Sequence, residues 1–194
     1  NARVSGNARV CGNTHIFENA VVCDNAKVAE NARVYNHALV YDDAEVYGNA
    51  KVFGNALVCD CAQICDNSKV YGGAKVFGKS KVFGDAQVYG NVKVGGKSEI
   101  LDDAWVCGNA EICGNTQVSD DAYVFDSAKV FGDAHIGGNA WIYGNADIIG
   151  DAQIKSIDDY AVFKNFWSSG RYFTWTKSNN MWKVGCFYGT GEEL

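Results

Sequence analysis

No apolar run in the 194 residues approaches the roughly 18 needed for a membrane-spanning helix. No basic, apolar leader opens the chain either, so the sequence reads as a cytoplasmic protein with no membrane partner. Its first residue is Asn1 rather than Met, and the true start is expected to lie upstream. Charge of one sign is also scarce. The formal net charge is -6 with acids and bases interspersed, which argues against direct nucleic-acid binding. There are three His residues, no Gly-rich loop between a strand and a helix, no nucleophile elbow and no paired-carboxylate site. Above all, the chain lacks interruption. From Asn1 to residue 156 one six-residue phrase is written 26 times without an insertion or deletion.

The phrase runs turn residue, Ala, variable, Val, variable, Gly or Asp, and Asn49-Ala50-Lys51-Val52-Phe53-Gly54 is a clean copy. The fourth position is Val or Ile in every copy, and the second is Ala in 20. The exceptions, Thr14, Ser68, Ser80, Val92, Ser98 and Thr116, are small or β-branched. Residues two apart on an extended chain face the same way, so the Ala and Val of each phrase share an inner face and positions three and five share an outer one. In the sixth position 22 of 26 residues are Gly or Asp, types that tolerate the left-handed backbone of a sharp corner. Such short strands cannot bury a face alone, so successive coils must stack into a solenoid with a continuous core.

This hexad resembles the hexapeptide repeat of left-handed parallel β-helix proteins, and the resemblance spans residues 1–156, about four fifths of the chain. It implies an all-β fold, a left-handed parallel β-helix with three hexads per coil and eight to nine coils. At ~4.8 Å per strand the prism is on the order of 40 Å tall. Many members of that family are trimeric acyltransferases taking an acyl-CoA donor, with a His general base at the seam between protomers, beside a loop that breaks out of a coil. This sequence has no such loop. His15 and His135 fall on the wall, and His37, at a corner, is the one candidate for that catalytic role.

Coil stacking places residues 18 apart in vertical columns, and one pair of columns differs from the rest. Phe17, Tyr35, Phe53, Tyr71, Tyr89, Cys107, Phe125 and Tyr143 form a fifth-position ladder with one non-aromatic rung. Beside it run His15, Arg33, Lys51, Lys69, Gln87, Trp105, Tyr123 and Trp141. Around Trp105, Tyr123, Phe125, Trp141 and Tyr143 the wall becomes an apolar patch, the signature of an interaction surface. Tyr89 and Tyr71 extend this candidate interaction surface up the ladder, where the alternative of rings stacked for stability and covered by Lys and Arg stems is favoured. A second apolar group, Val21, Leu39 and Leu57 with Tyr41 alongside, is a candidate second interface. The corner residues Asp102, Asp103, Asp120 and Asp121 are candidate Ca²⁺ ligands, against the ordinary alternative of a solvated acidic ridge.

Of the eight cysteines, Cys11, Cys23, Cys59, Cys65, Cys107 and Cys113 occupy fifth positions, and no two of them are 18 apart. Free thiols in a reducing compartment fit this placement better than disulfides. A metal cluster of Cys59, Cys61 and Cys65 is disfavoured because Cys61 sits at a corner and Cys65 lies one face on.

Residues 157–194 abandon the phrase and are rich in aromatics. Arg171 to Lys177 and Met181 to Phe187 alternate as two strands around Ser178-Asn179-Asn180, predicting a β-hairpin. Gly189 to Leu194 predicts the opening of a helix with Thr190 as N-cap, truncated where the chain stops. The segment is expected to cap the last coil and to lie on the lower aromatic patch. The run from Ser169-Gly170-Arg171 to Gly185-Cys186-Phe187-Tyr188-Gly189-Thr190 is similar to a closing module of uncharacterised bacterial and phage hexapeptide-repeat proteins.

Taken together the sequence reads as a non-enzymatic structural or protein-interaction module that needs no cofactor. Its partner is another protein or one or two further copies of itself, as a dimer or trimer. An acyltransferase is the first alternative. An acidic prism imitating a nucleic-acid duplex, and so inhibiting a DNA- or RNA-binding protein, is the second.

Overall fold

The computed structural model describes residues 1–164 and 171–193. Each phrase contributes one two-residue strand, from β1 (Arg3–Val4) to β26 (Gln153–Ile154). Every third strand pairs in parallel, giving three sheets of nine, nine and eight strands. Partners are 18 residues apart, as in Lys51↔Lys69 and Val52↔Val70, so three phrases close one coil. The three sheets are called here the first face (Arg3–Val4 to Asp147–Ile148), the second face (Arg9–Val10 to Gln153–Ile154) and the third face (His15–Ile16 to Trp141–Ile142).

Ala and Val point inward as the pattern requires, and from Ala20 to Ile154 the inner columns are buried. Ser68, Ser80 and Ser98 occupy the Ala position because each hydroxyl donates to the carbonyl three residues back, at 2.6, 2.7 and 2.6 Å. Thr116 is the exception, its buried hydroxyl having no partner.

Every sixth-position residue from Gly6 to Gly150 has positive φ. At Gly96 an added Cβ would lie 2.6 Å from the Gly114 carbonyl oxygen, so a bare alanine is strained there. Aspartate recovers part of that cost by hydrogen bonding. Asp102 accepts from the backbone N–H of Asp120 (3.3 Å), and Asp120 from that of Gly138 (2.7 Å). Corner by corner, the side chain of one coil ties down the amide of the next.

A 3₁₀ turn at Ile157–Asp159 leaves the last coil. Asp159 accepts from the N–H groups of Lys155 (2.9 Å) and Ser156 (3.0 Å), and these bonds hold its carboxyl below the usual range. An antiparallel sheet follows in the order β27 (Tyr160–Lys164), β28 (Tyr172–Thr176), β29 (Met181–Val184) and β30 (Phe187–Thr190). The expected hairpin is present as β28 and β29, with Trp175 opposite Trp182, and it gains a strand on each side.

This sheet closes all three faces. A final coil leaves backbone groups with no coil beneath them, which must find other partners or water. The Thr174 hydroxyl accepts from Asp147 N–H (3.0 Å), the Ser178 hydroxyl accepts from Gln153 N–H (2.7 Å), and the Tyr160 hydroxyl donates to the Trp141 carbonyl (2.7 Å). Burial beneath the sheet pushes the Tyr160 phenol up to about 12 and raises the Asp147 carboxyl.

Two expectations need correction. No helix opens at Thr190: β30 runs through it, paired with Met181, and the carboxylate of Glu193 accepts from Thr190 N–H (2.8 Å) within a turn. The capping chemistry is there, but strand pairing takes the backbone. The closing sheet also does not cover the lower aromatic patch. Its described residues seal the end of the coil; Ile157 of the preceding turn borders the patch and Tyr160 bonds the Trp141 carbonyl, while Trp105, Trp141 and Tyr143 stay 40%, 56% and 46% exposed. Phe166 and Trp167 lie outside the described residues.

Candidate interaction surface

The third face changes character half way down. From Phe17 through Tyr35, Phe53 and Tyr71 to Tyr89, rings lie one above the other at 4.7–4.9 Å with interplanar angles of 2–7°. That spacing is the strand spacing, so the sheet itself delivers the stack. On the adjoining corner the first-position side chains form an amide ladder. Asn13 donates to Asn31, Asn31 to Asn49, and Asn49 to Asn67, at 3.4, 3.3 and 3.1 Å.

Cys107 breaks the stack. With no ring at that rung, the Tyr89 and Tyr123 hydroxyls meet across it at 3.1 Å, and the Cys107 thiol lies 3.5 Å from the Tyr123 hydroxyl. Burial first, then the hydrogen bond with Tyr123, raises the pKa of Tyr89. Below the break the rings tilt. Trp105 meets Tyr89 edge-on at 76°, and Tyr123 lies at 50° and 53° to Trp105 and Trp141. Phe125 stacks on Tyr143 and turns its edge to Trp141.

Trp141 forms a ridge between two shallow clefts. One, of about 550 Å³, is lined by Phe125, Asn139, Trp141, Tyr143 and Ile157. The other, of about 600 Å³, is lined by Asp103, Trp105, Asp121, Tyr123 and Trp141. The corner column that carried the amide ladder above has become Asp85, Asp103 and Asp121 here, all exposed. The sequence reading missed this link between carboxylates and aromatic wall. Taking the first-position residues by eighteens would have found it.

The remaining candidates are dispersed. Val21, Leu39 and Leu57 occupy consecutive rungs of the first face, each partly covered. Beside them the Tyr41 hydroxyl pairs with the Cys59 thiol one coil on, and this bond, with burial, pushes the phenol up to about 12. His37 is exposed at its corner, with Nε2 3.2 Å from Nδ2 of Asn19. His135 borders a notch of about 430 Å³ on the second face that opens where Gly137 lacks a side chain, and its Nδ1 lies 3.0 Å from Oε1 of Gln117. Among the described residues no His is hydrogen bonded to a carboxylate, the orienting partner a general base requires.

Asp102 and Asp120, the candidate Ca²⁺ ligands, each give an oxygen to a backbone amide, and Asp103 and Asp121 stand outside them at the same corner. The ligand atoms of a different set, Asp42, Cys59 and Asp60, lie within 4.8 Å of one another. There too the carboxylates accept from corner amides, Asp42 from Asp60 N–H (3.3 Å) and Asp60 from Gly78 N–H (2.8 Å). All eight cysteines are free thiols. Among the described residues no helix is long and apolar enough to cross a membrane.

A family model described as YdcK beta solenoid repeat matches residues 2–18, the first coil. No curated protein matches the sequence. The matched coil shares its geometry with those stacked on it, and the chain is a hexapeptide-repeat-like parallel β-solenoid.

Proposed function

We propose that the protein is a non-enzymatic interaction module, a rigid prism that presents the aromatic wall of its third face to another protein or to a second copy of itself. The observation that supports this is the exposure of Trp105, Trp141 and Tyr143 on a wall where each ring packs against a neighbour, Trp105 and Trp141 against Tyr123 and Tyr143 against Phe125. Large rings leave water at little entropic cost when they are already immobile, which is why Trp and Tyr dominate binding hot spots. The uninterrupted coils point the same way, because no excursion of chain shapes a substrate pocket beside any His.

The test is a Trp105→Ser, Trp141→Ser double variant of the intact chain, compared with the parent by light scattering and by capture of partners from the native host. A changed assembly state or a lost partner is expected, and an unchanged result in both assays overturns the reading. Coenzyme A supplies the opposing arm. Thermal stabilisation by coenzyme A that disappears in His37→Ala would favour an acyltransferase instead.

A further inference from the structure

We propose that the third face is the two-fold interface of a homodimer in which two copies lie face to face with their solenoid axes antiparallel. The proposal rests on the interaction reading above and names its partner. It starts from how charge is arranged. The three ion pairs of the coils, Lys27–Glu45 (2.7 Å), Lys81–Glu99 (3.1 Å) and Lys93–Glu111 (2.7 Å), all lie on the first and second faces, each a base with an acid on the next rung, although like charges also stack there at Arg9↔Lys27 and Lys75↔Lys93. On the third face charge is sorted instead. Arg33, Lys51 and Lys69 follow one another in the upper half, and Asp85, Asp103 and Asp121 follow one another on the adjoining corner in the lower half. None of these six makes an ion pair among the described residues. Like charges one rung apart repel, so each set is a liability in the isolated chain.

A two-fold axis along the strand direction, passing between the fourth and fifth of the eight rungs of this face, removes both liabilities. It lays each column on its own counterpart in reverse order. Lys51 of one copy then faces the rung of Trp105 in the other, and Arg33 faces the rung of Tyr123. On the corner column Asn49 meets Asp103 and Asn31 meets Asp121. Lys51 and Arg33 each gain a ring to lie over, Lys69 faces Gln87, all three gain a carboxylate one column away, and each carboxylate gains an amide donor and a nearby cation. A two-fold axis parallel to the solenoid axis would instead keep every rung at its own level, bringing the cationic upper halves of both copies together and the acidic lower halves together. The pattern therefore selects the antiparallel arrangement.

The size fits as well. Eight rungs at ~4.8 Å and a face about five residues wide between corners at ~3.3 Å give a flat footprint on the order of 600 Å² per copy. Both copies together bury roughly 1,200 Å², the lower bound of stable, specific interfaces, before side-chain relief is counted.

The experiment uses two charge-reversed forms of the intact protein, Arg33→Glu with Lys51→Glu, and Asp103→Lys with Asp121→Lys. The parent is expected to sediment as a dimer whose dissociation constant rises with salt. Each variant alone should dimerise at least about tenfold more weakly, because its two halves now carry the same sign. An equimolar mixture should recover the dimer, since every reversed column then meets its opposite. Asp43→Asn, a charge change on another corner, should leave the dissociation constant unchanged. Circular dichroism and melting of each variant separate misfolding from lost contact, and recovery on mixing is itself proof that both variants are folded.

A monomeric parent, or a mixture that stays monomeric, overturns the proposal. If the parent is monomeric while Trp105→Ser with Trp141→Ser still loses a host protein, the homodimer falls and the interaction reading stands. If that variant changes nothing, both fall.

Discussion

The two halves of the third face share one backbone and one set of columns, yet they treat their surface in opposite ways. In the upper half the fifth-position rings and the corner amides are engaged with their own columns: rings stack at 4.7–4.9 Å, and amides pass hydrogen bonds from Asn13 to Asn67. In the lower half the columns stop supporting themselves. Rings tilt up to 81°, Trp141 is 56% exposed, and three aspartates stand where the amide ladder stood. A repeat protein can satisfy its surface by copying one good rung, so a stretch that departs from the good rung is serving something other than stability. Cys107 is the hinge of that change, because its missing ring frees Tyr89 and Tyr123 to pair by their hydroxyls.

The largest expected effect tests whether the upper half is structural. Phe53 stacks on both Tyr35 and Tyr71, so Phe53→Ala removes two ring contacts and leaves a gap between them. We expect a loss of roughly 2 to 3 kcal/mol, from two stacking pairs and the lost apolar cover, read as a lower denaturation midpoint. Trp141→Ala in the lower half should cost about 1 kcal/mol or less, since most of that ring is already in water. Equal losses at the two positions would erase the contrast.

Next in size is a graft of the lower pattern into the upper half. Asn49 accepts from Asn31 and donates to Asn67, so Asn49→Asp keeps the first bond and turns the second into two facing oxygens. A loss of about 1 to 2 kcal/mol is expected from the broken bond and the unpartnered acceptor. The same replacement at an isolated surface amide should cost almost nothing, and a result at that level would mean that the ladder is ornamental.

Much of this was legible beforehand, and the reason is periodicity. Val or Ile in every fourth position and turn formers in the sixth fix which residues are core and which are corner, and the spacing of 18 fixes which side chains are neighbours. Trp105, Tyr123 and Trp141 could therefore be placed on one wall from the sequence. What stayed hidden depends on contacts the period does not encode. Tyr160–Lys164 carries no strand pattern of its own until Tyr172–Thr176 pairs with it, and the run from Gly189 imitates a helix start because Thr190 and Glu193 do bond as a cap would. The tasks of Asp102 and Asp120 were equally hidden. Their spacing suits a cation, but positive φ turns each carboxylate toward the amide of the next corner.

The smallest expected change is the most discriminating. Asp103→Asn with Asp121→Asn should raise stability by a few tenths of a kcal/mol, because it removes repulsion between stacked carboxylates and lets amides bond as they do from Asn13 to Asn67. The same pair should weaken the proposed dimer, because the cations of the partner lose their counter-charge. Opposite signs in the two measurements, melting of the dilute chain and sedimentation of the concentrated one, would mark the aspartates as residues that give up stability in favour of contact. A fall in both would instead mean that the carboxylates brace the coil. A rise in stability with the dimer untouched would leave the column a solvated ridge, and with it the charge argument for the antiparallel interface would go.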